Sequence, residues 1–284
     1  MGKITWEEAV LWLREQPDQQ DLVKACYYDD PLLDASERFS LSEEWLETCK
    51  YLPAKHGSAL DLGAGRGISS YALAKSGWQV TALEPDPSNI VGAGAIRLLA
   101  EESSLPILVV QKWGEKLPFE NSSFDLVYGR QVLHHAADLD SFCKEASRVL
   151  KPGGRFIATR EHVISHPEDL QNFLDGHPLN SLYGGENAFL LDQYILSIKK
   201  SGLKLKDVLG CFDSVINYFP LSYENWVITC LDPIKNLFGT RVSSLIPKLP
   251  IVGEKIIKVL AHYLSANEQA PGRLYSFICE KPIN

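Results

Sequence analysis

From Ser58 to Glu161, short apolar runs alternate with segments of helical length, and no other feature of the 284-residue chain restricts its fold so tightly. The runs are Ala59-Leu60, Val80 to Leu83, Ile107 to Val110, Phe124 to Tyr128 and Phe156 to Thr159. Between them Ile68 to Lys75, Asn89 to Glu101 and Leu139 to Leu150 read as helices. In the third, Leu139, Phe142, Cys143, Ala146, Val149 and Leu150 form one apolar stripe that Pro152-Gly153-Gly154 ends. Short strands separated by helix-length crossovers are those of a parallel sheet, so this segment predicts an α/β architecture with helices on both faces.

On either side the texture changes. Thr5 with Glu8 forms a capping-box signature ahead of Ala9, Leu11, Trp12 and Leu13, and a second helix fits Ser42 to Tyr51 before Pro53, which predicts a helical extension over residues 1–57. Beyond Glu161, a helix around Asp192 to Lys200 precedes a strand from Leu203 to Leu209, and Tyr275 to Cys279 reads as the last strand. The roughly sixty residues between those two strands, Cys211 to Arg273, far exceed a hairpin loop. They predict a helical cap inserted over 211–272, with 58–210 as the core and 273–284 as its final strand. Within the insertion, Ile251, Val252, Ile256, Ile257, Val259, Leu260, Tyr263 and Leu264 give a cap helix an apolar face relieved by Lys255, Lys258 and His262.

A formal charge of −8, with no run of Lys and Arg interleaved with aromatics, argues against nucleic acid as substrate. Glu7 and Glu8 interrupt the stretch a secretory signal would need apolar, and no segment approaches 18 apolar residues, so the expectation is a cytoplasmic, unprocessed protein without stable membrane insertion. Cys26, Cys49, Cys143, Cys211, Cys230 and Cys279 are scattered without a CxxC and read as reduced, mostly buried thiols. His162 and His166 stand four apart, a spacing that could share a helical face, but no companion Cys or acidic pair accompanies them; no metal is expected.

Leu60-Asp61-Leu62-Gly63-Ala64-Gly65-Arg66-Gly67 follows a strand and opens a helix, where glycines let backbone approach a ligand and the helix N-terminus offers free amides. A dinucleotide fingerprint would place glycine at Ile68, and a phosphate loop would carry GKS or GKT; neither is present. Glu84 ends the second strand in Leu83-Glu84-Pro85-Asp86, at the sheet edge where an acid can accept hydrogen bonds from both hydroxyls of a ribose.

With Leu117-Pro118-Phe119, Phe124-Asp125-Leu126-Val127, Leu133-His134-His135 and Arg148-Val149-Leu150-Lys151-Pro152-Gly153-Gly154, these residues make 58–161 resemble the Rossmann-like class I methyltransferases that use S-adenosylmethionine, particularly their small-molecule branch. The resemblance implies a seven-stranded, mostly parallel sheet with an antiparallel last strand. It also implies that Asp61, Gly63, Ala64, Gly65 and Gly67 hold the methionine portion of S-adenosylmethionine, and Glu84 with Pro85 its ribose. Many relatives read adenine with an Asp where this chain has Trp113, whose indole cannot accept a hydrogen bond; stacking by Trp113 and the amides of Gly114 or Glu115 would have to serve, or else Trp113 is core packing.

A sulfonium donor is already activated, so methyl transfer chiefly needs an aligned acceptor, and a base helps where the acceptor is a hydroxyl. His134 and His135 after the fourth strand, and His162 after the fifth, are the candidate bases. Arg130 is placed to meet the cofactor carboxylate, as is Arg38 if the extension closes over the site, and Gly184-Gly185 suits a hinge. The resulting expectation is methylation of oxygen, nitrogen or carbon on a small-molecule acceptor, with a lipid-linked acceptor as one form. The alternatives are an NAD-dependent oxidoreductase on a related sheet and a non-enzymatic S-adenosylmethionine-binding module.

Overall fold

A computed structural model describes residues 3–249 and 251–283. Four helices open the chain: α1 (Trp6–Glu15), α2 (Gln20–Ala25), α3 (Leu32–Ser40) and α4 (Glu43–Cys49). The capping box forms as the sequence predicts: the Glu8 amide donates to the Thr5 hydroxyl at 3.2 Å and the Thr5 amide to the Glu8 carboxylate at 2.8 Å. Ser42 caps α4 with its hydroxyl alone, accepting from the Trp45 amide.

The core follows as β1 (Ser58–Leu62), α5 (Ile68–Lys75), β2 (Gln79–Leu83), α6 (Ala93–Ser103), β3 (Ile107–Val110), β4 (Phe124–Arg130), α7 (Leu139–Val149) and β5 (Leu150–Ile164). Then come α8 (Asp169–Gly176), α9 (Asn180–Tyr183), a two-residue strand β6 (Phe189–Leu190), α10 (Leu191–Lys200) and β7 (Lys204–Leu209). The chain closes with α11 (Val215–Tyr218), α12 (Tyr223–Ser243), α13 (Val252–Asn267) and β8 (Arg273–Glu280). The sheet order is β3-β2-β1-β4-β5-β8-β7, with β6 beside β5. β8 runs antiparallel to both its neighbours, and the remaining pairings are parallel. The seven expected strands are all present; β6 is an eighth that two residues could not announce.

Three local expectations need correcting. α6 begins at Ala93 rather than Asn89, because the Asp86 carboxylate accepts from the Ser88 amide and the Ser88 hydroxyl from the Ile90 and Val91 amides, holding 86–91 as a turn. Pro152-Gly153-Gly154 does not end α7 but lies inside β5. The carbonyls of Arg148 and Val149 accept from the amides of Ser122 and Ser123, which carries the chain directly into sheet pairing at Leu150. His162 and His166 share no helix: the first is within β5 and the second in the turn after it.

Both faces of the sheet are covered, which is why the central strands carry apolar side chains on both sides. On one face α7 and α10 bring Phe142, Ala146, Val149, Tyr194 and Ile198 against Phe156 and Phe277. On the other, α3, α4 and α5 bring Phe39, Trp45, Ala72 and Leu73 against Ala59, Leu126, Tyr128 and Ile157, so the N-terminal extension is part of the main core. The insertion carries its own small core of Trp226, Cys230, Leu231, Ile246, Ile257 and Ala261, and α12 kinks where Gly239 adopts φ 81°. Four of the six cysteines are buried. No helix among the described residues is long and apolar enough to cross a membrane.

Candidate active site

Where β1 gives way to α5, the chain order places Leu62 to Gly67 at the carboxyl edge of the sheet, beside the point at which strand order reverses between β1 and β4. Gly63 and Gly65 adopt φ 58° and 55°, a left-handed backbone that favours glycine. A Cβ on Gly63 would come within 2.3 Å of Val132, whereas one on Gly65 would meet nothing nearer than 4.0 Å, leaving its backbone bare toward open space. Glu84, at the end of β2, crosses to this loop: its carboxylate accepts from the Gly65 amide at 2.8 Å and from the Asp86 amide at 3.0 Å. Asp61 lies beneath, accepting from the Ser70 hydroxyl at 2.6 Å. Burial pushes both carboxyl groups up to about 7, against the hydrogen bonds that favour their charged forms.

These residues line one end of a cavity of about 500 Å³, together with Ala64, Pro85, Trp113, Gly114 and Glu115. Trp113 is 72% exposed, so it is a rim residue free to stack and not core packing. Of the residues predicted to hold the methionine portion, Gly67 does not line the cavity; a Cβ there would face Ile96 of α6 at 3.2 Å, and the residue serves to start α5. Arg130 is on the wall, but its guanidinium donates to Glu44 at 2.6 and 3.1 Å and to Gln131 at 3.0 Å. Arg38 is bonded to Asp29 at 2.6 Å and is absent from the cavity lining.

The roof is also a correction. Trp6, Leu13 and Tyr28 of the N-terminal extension and Leu179 and Tyr183 of the α8–α9 region cover the cavity, while no described residue of 211–272 lines it. The insertion is therefore not a cap over this site. Arg66 fastens the extension in place. Its guanidinium donates to the carbonyls of Tyr27 and Asp29 at 2.9 and 3.0 Å, to Ile90 at 2.9 Å and to the Asp30 carboxylate at 2.5 Å.

At the other end of the cavity the three predicted histidines come together. A bulge in β5, with Arg160 at φ 62°, shifts the register so that Glu161 and His162 meet the loop after β4. His134 is buried and its Nδ1 lies 2.7 Å from Glu161, which also accepts from the amides of Val132 and His134 at 3.1 Å. The rings of His134 and His135 are 4.2 Å apart, and those of His134 and His162 4.7 Å. Burial holds the His134 imidazole well below the usual histidine range and brings His162 down to about 3, so both are neutral at pH 7. His135 is exposed, its Nδ1 donating to the Gly185 carbonyl at 3.0 Å.

Glu186 and Tyr183 complete this end beside His177, and neither of the two was expected there from the sequence. They reach the histidines from a segment about fifty residues downstream of His134, and no local spacing marks them. Glu44 and Arg66 were missed for the same reason: their partners are distant in sequence.

The geometry fits an adenosyl sulfonium ligand at the glycine-loop end: two buried acids, one aimed along the strand edge, beside a glycine backbone open to approach. Residues 60–158 match the family described as "Methyltransferase domain". A ubiquinone biosynthesis O-methyltransferase of Methylobacterium sp. (strain 4-46) is 38% identical over 167 residues, 57% of this chain and 64% of the relative; the chain thus spans a little under two thirds of that protein's length. The enzyme of the same name from Rhizobium etli (strain CIAT 652) is 32% identical over 187 residues, 64% of this chain and 72% of its own length. Phosphoethanolamine N-methyltransferase 2 of Haemonchus contortus, solved with S-adenosyl-L-methionine, superposes with a TM-score of 0.56 at 19% identity, covering 93% of this chain and 60% of that one, which shows a shared fold. From its sheet order, its glycine loop and these relatives, the chain belongs to the class I S-adenosylmethionine-dependent methyltransferases.

Proposed function

We propose that this protein methylates a hydroxyl group on a small organic acceptor. One observation carries the reading: a single cavity joins the glycine loop and Glu84 at one end to a group of imidazoles at the other. When bound, S-adenosylmethionine supplies a methyl group already activated by positive sulfur. Asp61, Gly63, Ala64 and Gly65 would hold its methionine portion, Glu84 and Pro85 its ribose, and Trp113, Gly114 and Glu115 its adenine. The chain's remaining task is to orient the acceptor, keep bulk water out and take up a proton.

Among the three histidines, His135 is best suited to the proton. Its Nδ1–H donates to Gly185, which leaves Nε2 with a lone pair, and its exposure lets solvent stabilise the imidazolium. His134 and His162 are enclosed, where a positive ring is costly. The relatives' name supports oxygen as the methylated atom, and the apolar roof suits an acceptor with a hydrophobic body, a lipid-linked one included.

Transfer of labelled methyl to a panel of phenols and catechols tests the reading, with thermal shift against S-adenosylhomocysteine and NAD in parallel. Labelled product and stabilisation by S-adenosylhomocysteine alone are expected. Tight cofactor binding with no product from any acceptor would favour a binding module, and stabilisation by NAD alone an oxidoreductase.

A further inference from the structure

We propose that His134, His162 and Glu186 bind a divalent transition-metal ion at the acceptor end of the cavity. One ligand atom from each of the three lies within 4.8 Å of the other two. Metal-bound nitrogen and oxygen at about 2.0–2.2 Å place neighbouring ligand atoms roughly 3–3.5 Å apart, so rotations of about 1 Å would close the set. The three come from the loop after β4, from β5 and from the segment before β6, so the fold assembles the set rather than any one motif.

The outer contacts argue for metal more strongly than the ligands alone. His134 is bonded through Nδ1 to Glu161 at 2.7 Å, and His162 through Nδ1 to the Gly272 carbonyl at 2.8 Å. Donating Nδ1–H fixes the tautomer in which Nε2 carries the lone pair, the form that ligates metal. The Nε2 of His134 is 3.7 Å from Glu186 Oε2, too far for a hydrogen bond, and neither Nε2 has a hydrogen-bond partner among the described residues. Glu186 is oriented too: Tyr183 donates to its Oε1 and His177 Nε2 stands 3.6 Å from that oxygen, which turns Oε2 toward His134. Each proposed ligand thus has an outer partner holding it in a ligating orientation.

Charge points the same way. Glu161 and Glu186 sit at this end with no Lys or Arg in salt-bridge range among the described residues; Arg130 faces Glu44 instead. A dication would balance both carboxylates. Two imidazoles and one carboxylate suit zinc, cobalt, nickel, manganese or ferrous iron more than magnesium or calcium. Three protein ligands leave positions open on the cavity side, where an acceptor hydroxyl could enter and lose its proton to His135 Nε2 more readily. That use of the ion rests on the methyltransferase reading; its binding does not.

Protein stripped with chelator and titrated with Co²⁺ tests the site through visible absorption and through metal-to-protein stoichiometry by mass spectrometry. One ion per chain is expected, with affinity reduced at least 100-fold in His162→Ala and Glu186→Gln, about 10-fold in Tyr183→Phe, and unchanged in His166→Ala, whose side chain is exposed beyond the cluster. Circular dichroism confirms that each variant is folded, and Glu186→Gln keeps the shape if His162→Ala does not. Substoichiometric binding, or affinity unchanged in a folded Glu186→Gln, overturns the proposal. Calorimetry with S-adenosylhomocysteine on the same samples separates the two readings: cofactor bound without Co²⁺ removes the ion and leaves the methyltransferase, while Co²⁺ bound at the three residues without cofactor does the reverse.

Discussion

Glu84 faces two demands that move its proton in opposite directions. In the ligand-free fold burial raises its carboxyl to about 7, so the contribution it makes to stability is fully present below its ordinary value near 4.5 and is lost as pH rises through 7. Ribose hydroxyls, by contrast, donate to the ionised carboxylate. Binding of S-adenosylhomocysteine at pH 6.5 should therefore release a proton, seen as a calorimetric enthalpy that varies with the buffer's ionisation heat, and affinity should fall up to about tenfold per pH unit below 7. Glu84→Ala should reduce the proton release to whatever Asp61, also pushed up to about 7, contributes, and weaken binding about 10- to 100-fold. His135→Ala should lower kcat about 100-fold while calorimetry shows cofactor affinity unchanged. At this scale the sequence was legible wherever a residue's place followed from strand order: Asp61, Glu84 and the glycines sit at strand ends and needed no tertiary knowledge. It could not separate His134 from His135, because which of two neighbours is enclosed depends on Glu161 and on the bulge at Arg160.

The elements that close the site are held by buried arginines whose partners lie far away in sequence. Arg66, inside the glycine loop, ties the α2–α3 connection to the loop before α6 through three carbonyls and Asp30. Arg66→Met should destabilise the protein by about 2–4 kcal/mol, since three carbonyls lose their donor. Hydrogen exchange should quicken in residues 17–30 and not in α7; uniform acceleration would mean that Arg66 stabilises the whole core instead. Glu44 on α4 takes the second arginine, Arg130, at 2.6 Å, with Arg160 3.9 Å away. Arg130 and Arg160 hold the carboxyl of Glu44 below its usual range despite burial. Glu44→Gln would leave two buried guanidinium groups without a counter-ion and should cost about 3–5 kcal/mol, read from a denaturant melt. Helix starts were legible where a side-chain cap is local, as at Thr5 and Ser42, and not at α6, where the 86–91 turn delays the start to Ala93; the arginine ties were not legible, because either residue alone reads as an ordinary surface charge.

For the molecule as a whole, the decisive question is which added segment governs access to the cavity, and here length in the sequence misled. A long insertion between β7 and β8 suggests a lid, but its helices pack on one another around Trp226 and leave Leu237, Phe238 and Val259 exposed, away from the site. The shorter N-terminal extension is built into the main core through Phe39 and Trp45, and it carries Trp6 and Leu13 over the cavity. Trp6 packs on Tyr183 with ring centroids 4.5 Å apart, so the roof joins the extension to the segment bearing Glu186. Acceptor selectivity should accordingly follow the roof. Trp6→Ala or Leu179→Ala should raise KM for an apolar acceptor about tenfold, as expected where a pocket loses apolar contact. Leu237→Ser with Phe238→Ser should leave kcat and KM for a soluble acceptor unchanged. If the insertion pair moved acceptor KM and the roof pair did not, the acceptor would have to enter from the α12 side, and the extension would be left with a purely structural role.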